Sequence, residues 1–308
     1  MIKRCACIFT FVAFAVGIAW VIGNVLTDRW SWSQWILWIP TLAPLFLFVA
    51  ASCIAIIAKS KRQIILLTAT TLALFLWFSM FENRFFATHD PGHGLRLVGW
   101  TMSHPKKEVS KESAVEIVRL DADITLLTHG WYVRTEPSIS NWLEPSGRKV
   151  INGPFTILTK VKPLEVRTLV ASDGIYISLF ILDTTEILGR ELILWAIDLP
   201  SSLSIPKMKI ANRVKRLLEK VDAPEPDIVI GDFNMTQNSS SIQTIFPTLR
   251  DASDDGGEGW IASFPIEIPL YHIDHILLDS KLRAVSYKLV NPKIGNHRIQ
   301  VAEITGKN

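Results

Sequence analysis

Three polar clusters in the C-terminal half of the chain combine side chains that bind metal ions with side chains that move protons. Asp232 and Asn234 follow a short apolar run, Asp274 and His275 lie in a second run, and His297 follows near the end of the chain. Carboxylate and amide oxygens are ligands for hard divalent cations, and imidazole is the most common general base. Polar turns at the ends of buried strands bring such groups together. The clusters therefore predict a site for phosphate or metal chemistry.

In order and spacing, the clusters resemble the recurring motifs of the endonuclease/exonuclease/phosphatase family, the DNase-like metal-dependent phosphoesterases. The family motifs G-D-F-N, I-D-H-I and S-D-H-R correspond here to Gly231–Asn234, Ile273–Ile276 and Gly295–Arg298. A Gly-rich loop with aromatic and proline residues, often found in the family between the first two motifs, corresponds to 256–269. The resemblance covers residues 95–304.

The resemblance implies an α/β fold, a four-layer sandwich of two packed β-sheets flanked by helices. It also implies metal-dependent hydrolysis of a phosphoester, with Mg²⁺ or Mn²⁺ as the cofactor and Zn²⁺ as the less favoured ion. The family's catalytic positions correspond here to His297, Asp232, Asn234, Asp274, Asn296 and Asp198, and its metal positions to His129, Thr101 and Asp232.

Four of these positions depart from the family pattern. Thr101 replaces an Asn at the end of the first strand, and His129 replaces the Glu that is the main metal ligand. Asp198 occupies the position of a phosphate-binding His, and Asn296 replaces the Asp that the pattern assigns to orienting His297. Loss of a ligand carboxylate weakens Mg²⁺ binding, and an amide cannot supply the charge that stabilises an imidazolium. Hydrolysis supported by Mg²⁺ is therefore expected to be near background.

Three functions remain open at this point. The first is a membrane-anchored phosphoesterase with an impaired Mg²⁺ site, and the second is a catalytically inactive pseudoenzyme that serves as a binding or scaffold module. The third is a hydrolase rebuilt around Zn²⁺ or Mn²⁺, which prefer mixed nitrogen and oxygen ligands. Its ligands would be His129, Asp198, Asp232 and His297. The substrate is not determined, because loops around the mouth of this fold select it.

Charge and hydropathy divide the chain into two parts. Residues 1–89 contain seven Lys and Arg against two acidic residues, whereas the remainder contains 25 against 27. A domain that grips DNA through many phosphates would show a basic surplus, so nucleic acid is weakly supported as a partner. The basic residues of a predicted helix over 207–221 are interpreted as its solvated face.

Residues 1–89 are predicted to be a membrane anchor with three transmembrane helices. Three runs without charged residues cover about 5–26, 35–58 and 64–81. Each is near the ~20 residues that cross a bilayer. Trp30, Trp32 and Trp35 cluster between the first two runs, as aromatic residues do at a membrane boundary.

Basic residues flanking the runs predict the orientation of the anchor. Lys3 and Arg4 precede the first run, and Lys59, Lys61 and Arg62 separate the second from the third. By the positive-inside rule both segments are cytoplasmic, so three crossings place the C-terminal domain outside the cytoplasm of a plasma or inner membrane. The expected partners are therefore the membrane and a phosphate-ester substrate or lipid head group.

A turn-rich linker at 91–94 is predicted to join the anchor to a domain over 95–308, which is long enough for one large core. Strands and two helices alternate along the domain. Strands are predicted near 95–100, 124–128, 155–159, 166–171, 176–182, 191–198, 227–230, 273–278, 285–290 and 299–304, and helices near 110–120 and 207–221.

Overall fold

The computed structural model describes residues 2–87, 94–102, 110–152 and 154–307. Of the predicted linker turn at 91–94, only Gly94 lies within this part of the chain. An N-terminal group of helices is followed by an α/β domain with two mixed sheets.

Four α-helices make up the N-terminal part: α1 Ile2–Leu26, α2 Ser31–Leu37, α3 Leu42–Ile57 and α4 Lys61–Trp77, the last continuing as a π-helical turn over Phe78–Glu82. Two of the described helical segments, Ile2–Leu26 and Lys61–Glu82, are long and apolar enough to cross a membrane. A third crossing exists if α2 and α3, which are bent by 58° relative to each other, form one span.

The run predicted over 35–58 is therefore not one continuous helix. It is interrupted between Leu37 and Leu42, where Pro40 lacks the N–H for a helical hydrogen bond and disfavours helical geometry at Ile39. The break turns α2 away from α3, and a pattern of apolar residues alone does not show it.

Within the described residues of the domain, twelve strands form the two sheets. They are β1 Leu95–Thr101, β2 Ile124–Thr128, β3 Lys149–Asn152, β4 Phe155–Thr159, β5 Lys162–Ser172, β6 Ile175–Thr184, β7 Arg190–Asp198, β8 Ile228–Asp232, β9 Arg250–Asp251, β10 Asp274–Leu278, β11 Leu282–Val290 and β12 Ile299–Gly306. The first sheet has the order β11-β12-β1-β2-β4-β3, and the second has the order β5-β6-β7-β8-β10-β9.

Six described helices accompany the sheets, four of them on the outer faces and two short ones in connections between strands. They are α5 Ser110–Leu120, α6 Pro137–Leu143, α7 Thr185–Leu188, α8 Lys207–Leu218, α9 Ser240–Ile245 and α10 Ala252–Gly256. A 3₁₀ turn over Val133–Thr135 precedes α6. The two helices predicted from sequence correspond to α5 and α8, whereas the short helices were not predicted.

The main core lies between the two sheets, because both inner faces contribute fully buried apolar side chains such as Leu97, Leu126, Leu194 and Ile230. A second apolar cluster joins the outer face of the β7–β8 sheet to α8 and α9, and a third joins the outer face of the β1–β2 sheet to α5 and α6. This gives four layers, helix–sheet–sheet–helix, and confirms the predicted sandwich.

Lys207, the first residue of α8, departs from the predicted solvated face of that helix. It is buried, and its ammonium group donates a 2.8 Å hydrogen bond to the carbonyl of Pro200. Burial lowers the pKa of Lys207 to about 8. The side chain thus fixes the start of α8 to the loop that follows β7.

Candidate active site

Strand pairing places the three sequence clusters at one edge of the sandwich. In each sheet two parallel strands end together: Thr101 at the end of β1 pairs with Thr128, and Asp198 at the end of β7 pairs with Asp232. β10 runs antiparallel to β8, so its first residue, Asp274, pairs with Asp232. Carboxyl ends of parallel strands and the amino end of an antiparallel neighbour share a sheet edge. The polar residues therefore meet.

The turn after β8 depends on glycine and asparagine. Gly231 has a φ of 148°, and a Cβ there would lie 1.9 Å from the carbonyl oxygen of Ile197, so only glycine fits. Asn234 has a φ of 52°, a left-handed conformation that asparagine tolerates well. Its backbone N–H donates to the Asp232 carboxylate at 2.9 Å, and its side-chain amide donates to the carbonyl of Leu199 at 2.9 Å. Both bonds hold the turn against the end of β7.

Asp274 orients His297. The Asp274 carboxylate accepts a hydrogen bond from His297 Nδ1 at 2.8 Å through one oxygen and from Thr101 Oγ1 at 2.5 Å through the other. The expectation that His297 lacks an orienting carboxylate is therefore wrong. The backbone carbonyl of Asn296 accepts a hydrogen bond from the N–H of Ile266. The carboxylate that the family pattern places at position 296 is supplied here by Asp274 of β10.

Burial and the ion pair together determine the protonation states of Asp274 and His297. Burial alone would lower the pKa of His297, but the charge and hydrogen bond of Asp274 outweigh it and raise the pKa to about 9. Burial would likewise raise the pKa of Asp274, yet His297 holds it below its usual value. The two residues are thus a charge pair, and His297 Nδ1 is committed to the carboxylate.

Asp232 completes a buried cluster with this pair. One ligand atom each from Asp232, Asp274 and His297 lie within 4.8 Å of one another. Burial and the adjacent negative charge of Asp274 raise the pKa of Asp232 well above its usual value. A bound cation would relieve the repulsion between the two carboxylates and displace the proton from Asp232.

His129 and Asp198 form a separate pair. His129 Nε2 lies 3.1 Å from an oxygen of Asp198. His129 follows β2 in a left-handed conformation, with a φ of 58°. Asp198 is consequently not the isolated negative charge that the sequence predicted at the phosphate-binding position. The sequence suggested His129, Asp198, Asp232 and His297 as one set of metal ligands. Within the described residues, the cluster around Asp232 instead consists of Asp232, Asp274 and His297, and it does not include His129 or Asp198.

A cavity of about 570 Å³ opens at this edge of the sandwich. Its polar lining includes six of the residues selected from the sequence, Thr101, His129, Asp198, Asp232, Asn234 and His297. Asp274 is fully buried behind them and contacts the cavity only through Thr101 and His297. Apolar side chains line the rest: Trp38, Leu199, Pro200, Leu203, Phe264 and Ile273.

Solved structures resemble the domain in architecture. An endonuclease/exonuclease/phosphatase from Bacteroides vulgatus is 14% identical over 70% of this chain and 100% of that chain, with a TM-score of 0.52. The endonuclease/exonuclease/phosphatase from Beutenbergia cavernae is 12% identical, covering 69% and 72%, with a TM-score of 0.51. The domain has the endonuclease/exonuclease/phosphatase fold.

A conserved protein of unknown function from Enterococcus faecalis shares the endonuclease/exonuclease/phosphatase fold at 13% identity, covering 69% of this chain and 100% of that chain, with a TM-score of 0.50. No family model and no curated protein matches the chain. Identities this low establish the fold, and the chemistry has to be argued from the residues of the site.

A divalent ion fits one side of this candidate site. Asp232, with its raised pKa, and His297 offer oxygen and nitrogen donors in a buried, negatively charged cluster. The opposite side fits Mg²⁺ poorly, because Thr101 donates its proton to Asp274 and His129 is paired with Asp198. A mixed nitrogen and oxygen set suits Mn²⁺ or Zn²⁺ better than Mg²⁺.

Sequence reasoning missed two residues around this site, Trp38 and Asp251, although it did select His275, the partner of Asp251. Trp38 lies in the N-terminal part, outside the resemblance, and no motif linked it to the cavity. Behind the site, buried His275 binds the carboxylate of Asp251 through Nδ1 at 2.7 Å and the carbonyl of Met235 through Nε2 at 2.9 Å. Asp251 belongs to a two-residue strand, which gave no sequence signal. His275 thereby fixes the turn that contains Asn234.

Proposed function

We propose that the protein is a membrane-anchored, metal-dependent phosphoesterase of the endonuclease/exonuclease/phosphatase family. The observation that supports this best is the Asp274–His297 pair beside Asp232, at the wall of an open cavity. Replacing a whole buried ion pair by well-packed apolar residues is often neutral or stabilising, so retention of this pair beside the buried carboxylate of Asp232 supports a working site. The inactive scaffold is therefore the weaker alternative.

The residues of this chain have distinct tasks in the proposed reaction. His297 uses Nδ1 to bind Asp274, which leaves Nε2 of the neutral ring to take a proton from the attacking water. Because Asp274 raises the pKa of His297 to about 9, the fraction of molecules with this neutral ring rises as the pH approaches 9. Asp274 fixes the tautomer of the ring and stabilises the imidazolium that results. Asn234 is held rigidly at the end of β8 and positions the phosphate together with Asp232.

A divalent ion, when bound, would supply positive charge to the phosphate oxygens, and Asp232 would hold it. The pair His129–Asp198 also lines the cavity, where the contact of His129 Nε2 with the Asp198 carboxylate partly masks a negative group that would otherwise repel a phosphate.

Phosphoester turnover is expected to require a divalent ion and Asp232. The full chain in a phosphate-free non-ionic detergent would be assayed on 4-nitrophenyl phosphate and bis(4-nitrophenyl) phosphate with Mg²⁺, Mn²⁺ or Zn²⁺. We expect Mn²⁺ to support faster turnover than Mg²⁺, and Asp232→Asn to reduce kcat/KM by about 10²-fold because it removes the carboxylate that binds the ion.

Asp222→Asn is the matched control, since Asp222 is an exposed acidic residue outside the cavity. Turnover that survives a chelator, or that Asp232→Asn and Asp222→Asn leave equally unchanged, would show that this site is not the hydrolase. Complete inactivity with every metal would favour the scaffold function.

We further propose that the anchor crosses the membrane three times and places the domain outside the cytoplasm. Lys59 lies in the connection between α3 and α4, and Lys61 and Arg62 are the first residues of α4; this basic segment favours the cytoplasmic side. Three crossings require α2 and α3 to act together as one bent span, or α3 to cross with α2 lying at the surface.

A topology reporter gives a direct test of this orientation. Alkaline phosphatase fused after residue 308 is expected to be active, and green fluorescent protein at the same position is expected to be dark in a bacterial host that exports unfolded chains. The same reporters fused after Lys59 should show the opposite result. A fluorescent fusion after residue 308 would place the domain in the cytoplasm.

A further inference from the structure

The segment between α1 and α3 is built into the domain. The carboxylate of Asp28 accepts hydrogen bonds from the hydroxyl of Ser239 and from the N–H of Ser241. Gln34 of α2 accepts from the N–H of Lys207 at 2.7 Å and donates to the carbonyl of Leu203 at 2.9 Å. Gln34 is only 1% exposed. The N-terminal helices and the catalytic domain are therefore held in a fixed relation at this segment.

The opposite face of α2 is aromatic and open. Trp32 and Trp35 are 54% and 56% exposed, and Trp30 stacks on Trp32 with ring centroids 6.0 Å apart. Exposed tryptophans next to an apolar helix are typical of the membrane–water interface. With Gln34 against the domain and these tryptophans outward, α2 lies between the domain and the lipid head groups.

The same short segment forms a wall of the catalytic cavity. Trp38 follows α2 directly and lines the cavity together with His297 and Asp232. Its ring packs on Tyr271 at 4.8 Å, and the Tyr271 hydroxyl donates to the carbonyl of Trp38 at 3.3 Å. Trp38 comes three positions after the exposed Trp35, which corresponds to about 4.5 Å of helix rise. The cavity therefore opens at the level of the membrane surface.

The lining of the cavity is amphiphilic. Its inner end carries His297 and Asp232, while Trp38, Leu203 and Phe264 form an apolar flank. Ile205 and Ile268 lie exposed in the segments that contribute Leu203 and Phe264. A phosphate at the inner end leaves room along this flank for an apolar group. The domain has no surplus of basic residues that would attract a nucleic acid.

We propose that the substrate is a phosphate ester carried on a membrane lipid, which enters the cavity from the interface beside α2 and places its apolar part against Trp38. This inference rests on the proposed function and assigns the substrate class of the same site. The lipid phosphate reaches His297 without leaving the interface, and burial of its apolar part against the flank adds affinity at roughly 25 cal/mol per Å².

The test compares matched soluble and lipid esters that share one head group. The full chain in a phosphate-free non-ionic detergent would be given glycerol 3-phosphate or phosphatidic acid as monoesters, and glycerophosphoglycerol or phosphatidylglycerol as diesters. We expect kcat/KM to be at least about 10-fold higher for the lipid member of the pair that is hydrolysed, which corresponds to about 1.4 kcal/mol of added apolar contact.

Trp38→Ala is expected to reduce that lipid-to-soluble ratio by about 5-fold, and Trp38→Phe to retain most of it, because a second aromatic ring keeps the apolar wall. Trp142→Ala is the matched control, since this tryptophan of α6 lies outside both the anchor and the cavity lining, and it should leave the ratio unchanged.

Equal turnover of soluble and lipid esters, with dependence on Asp232, would overturn the lipid inference and leave the proposed function intact. Faster turnover of an oligonucleotide than of any lipid ester would overturn it in the same way. Failure to hydrolyse any of these esters with Mg²⁺, Mn²⁺ or Zn²⁺ would overturn the proposed function and the inference together.

Discussion

Replacing His297 with Gln is expected to reduce kcat by about 10³-fold. The imidazole is the proposed general base, and loss of such a group typically reduces the rate by 10²–10⁴-fold. Asp274→Asn should reduce kcat by about 10²-fold, because an amide can neither fix the reactive tautomer nor stabilise the imidazolium that forms. Since the two residues act as a unit, the double variant should be no slower than His297→Gln alone.

Asn296→Asp discriminates between the two assignments of the orienting charge. If Asp274 orients His297, as the 2.8 Å hydrogen bond indicates, Asn296→Asp should change kcat by less than about 3-fold. A gain of 10-fold or more would restore the assignment made from the sequence. Steady-state kinetics of the full chain with saturating metal ion would measure all four variants, and multiplicative losses in the double variant would contradict a dyad.

Asp251→Asn is expected to lower the free energy of unfolding of the domain by about 3 kcal/mol. His275 is 1% exposed, and burial opposes its protonation, but the hydrogen bond that it donates to Asp251 and the negative charge of Asp251 outweigh burial and raise the pKa of His275. Removal of one partner leaves a buried charge without compensation, or forces the imidazole to become neutral. Either result weakens the contact that fixes the turn at Asn234.

Urea unfolding of the detergent-solubilised chain, followed by pulse proteolysis, would measure the change in midpoint. Glu267→Gln provides a matched control, because Glu267 is an exposed acidic residue in a loop of the same domain and should alter the midpoint little. Equal midpoints for the two variants would show that the Asp251–His275 pair contributes nothing to stability. Activity should fall in Asp251→Asn as well, since Asn234 loses its support.

The strand β8 and the turn after it are the features that the sequence predicted most accurately. An apolar run followed by Gly231-Asp-Phe-Asn predicted a buried strand ending in a polar turn, and β8 ends at Asp232 with Asn234 in a left-handed conformation. Such features depend on residues adjacent in the chain, where alternation, glycine conformation and side-chain to backbone hydrogen bonds act locally. The layers of the sandwich followed from the resemblance that these motifs carry.

The partners of the catalytic side chains were decided by tertiary structure. Asp274 and His297 are 23 residues apart, and His129 and Asp198 are farther apart still; each pair forms only because different strands end at one edge. Pairing between strands depends on the register of both sheets, which no local pattern contains. For that reason the sequence pattern placed the orienting carboxylate at position 296, next to His297, where the chain has Asn, and did not identify Asp274.

The relation of the anchor to the site was also invisible in the sequence. Composition alone identified the apolar runs and the tryptophan cluster, because hydropathy is a sum over neighbouring residues. The bonds of Gln34 to the domain and the position of Trp38 in the cavity wall arise from contacts between segments more than 150 residues apart. Thus the sequence by itself determined the kind of fold, the candidate residues and the apolar anchor, whereas long-range packing alone decided which charges pair and that the anchor completes the cavity.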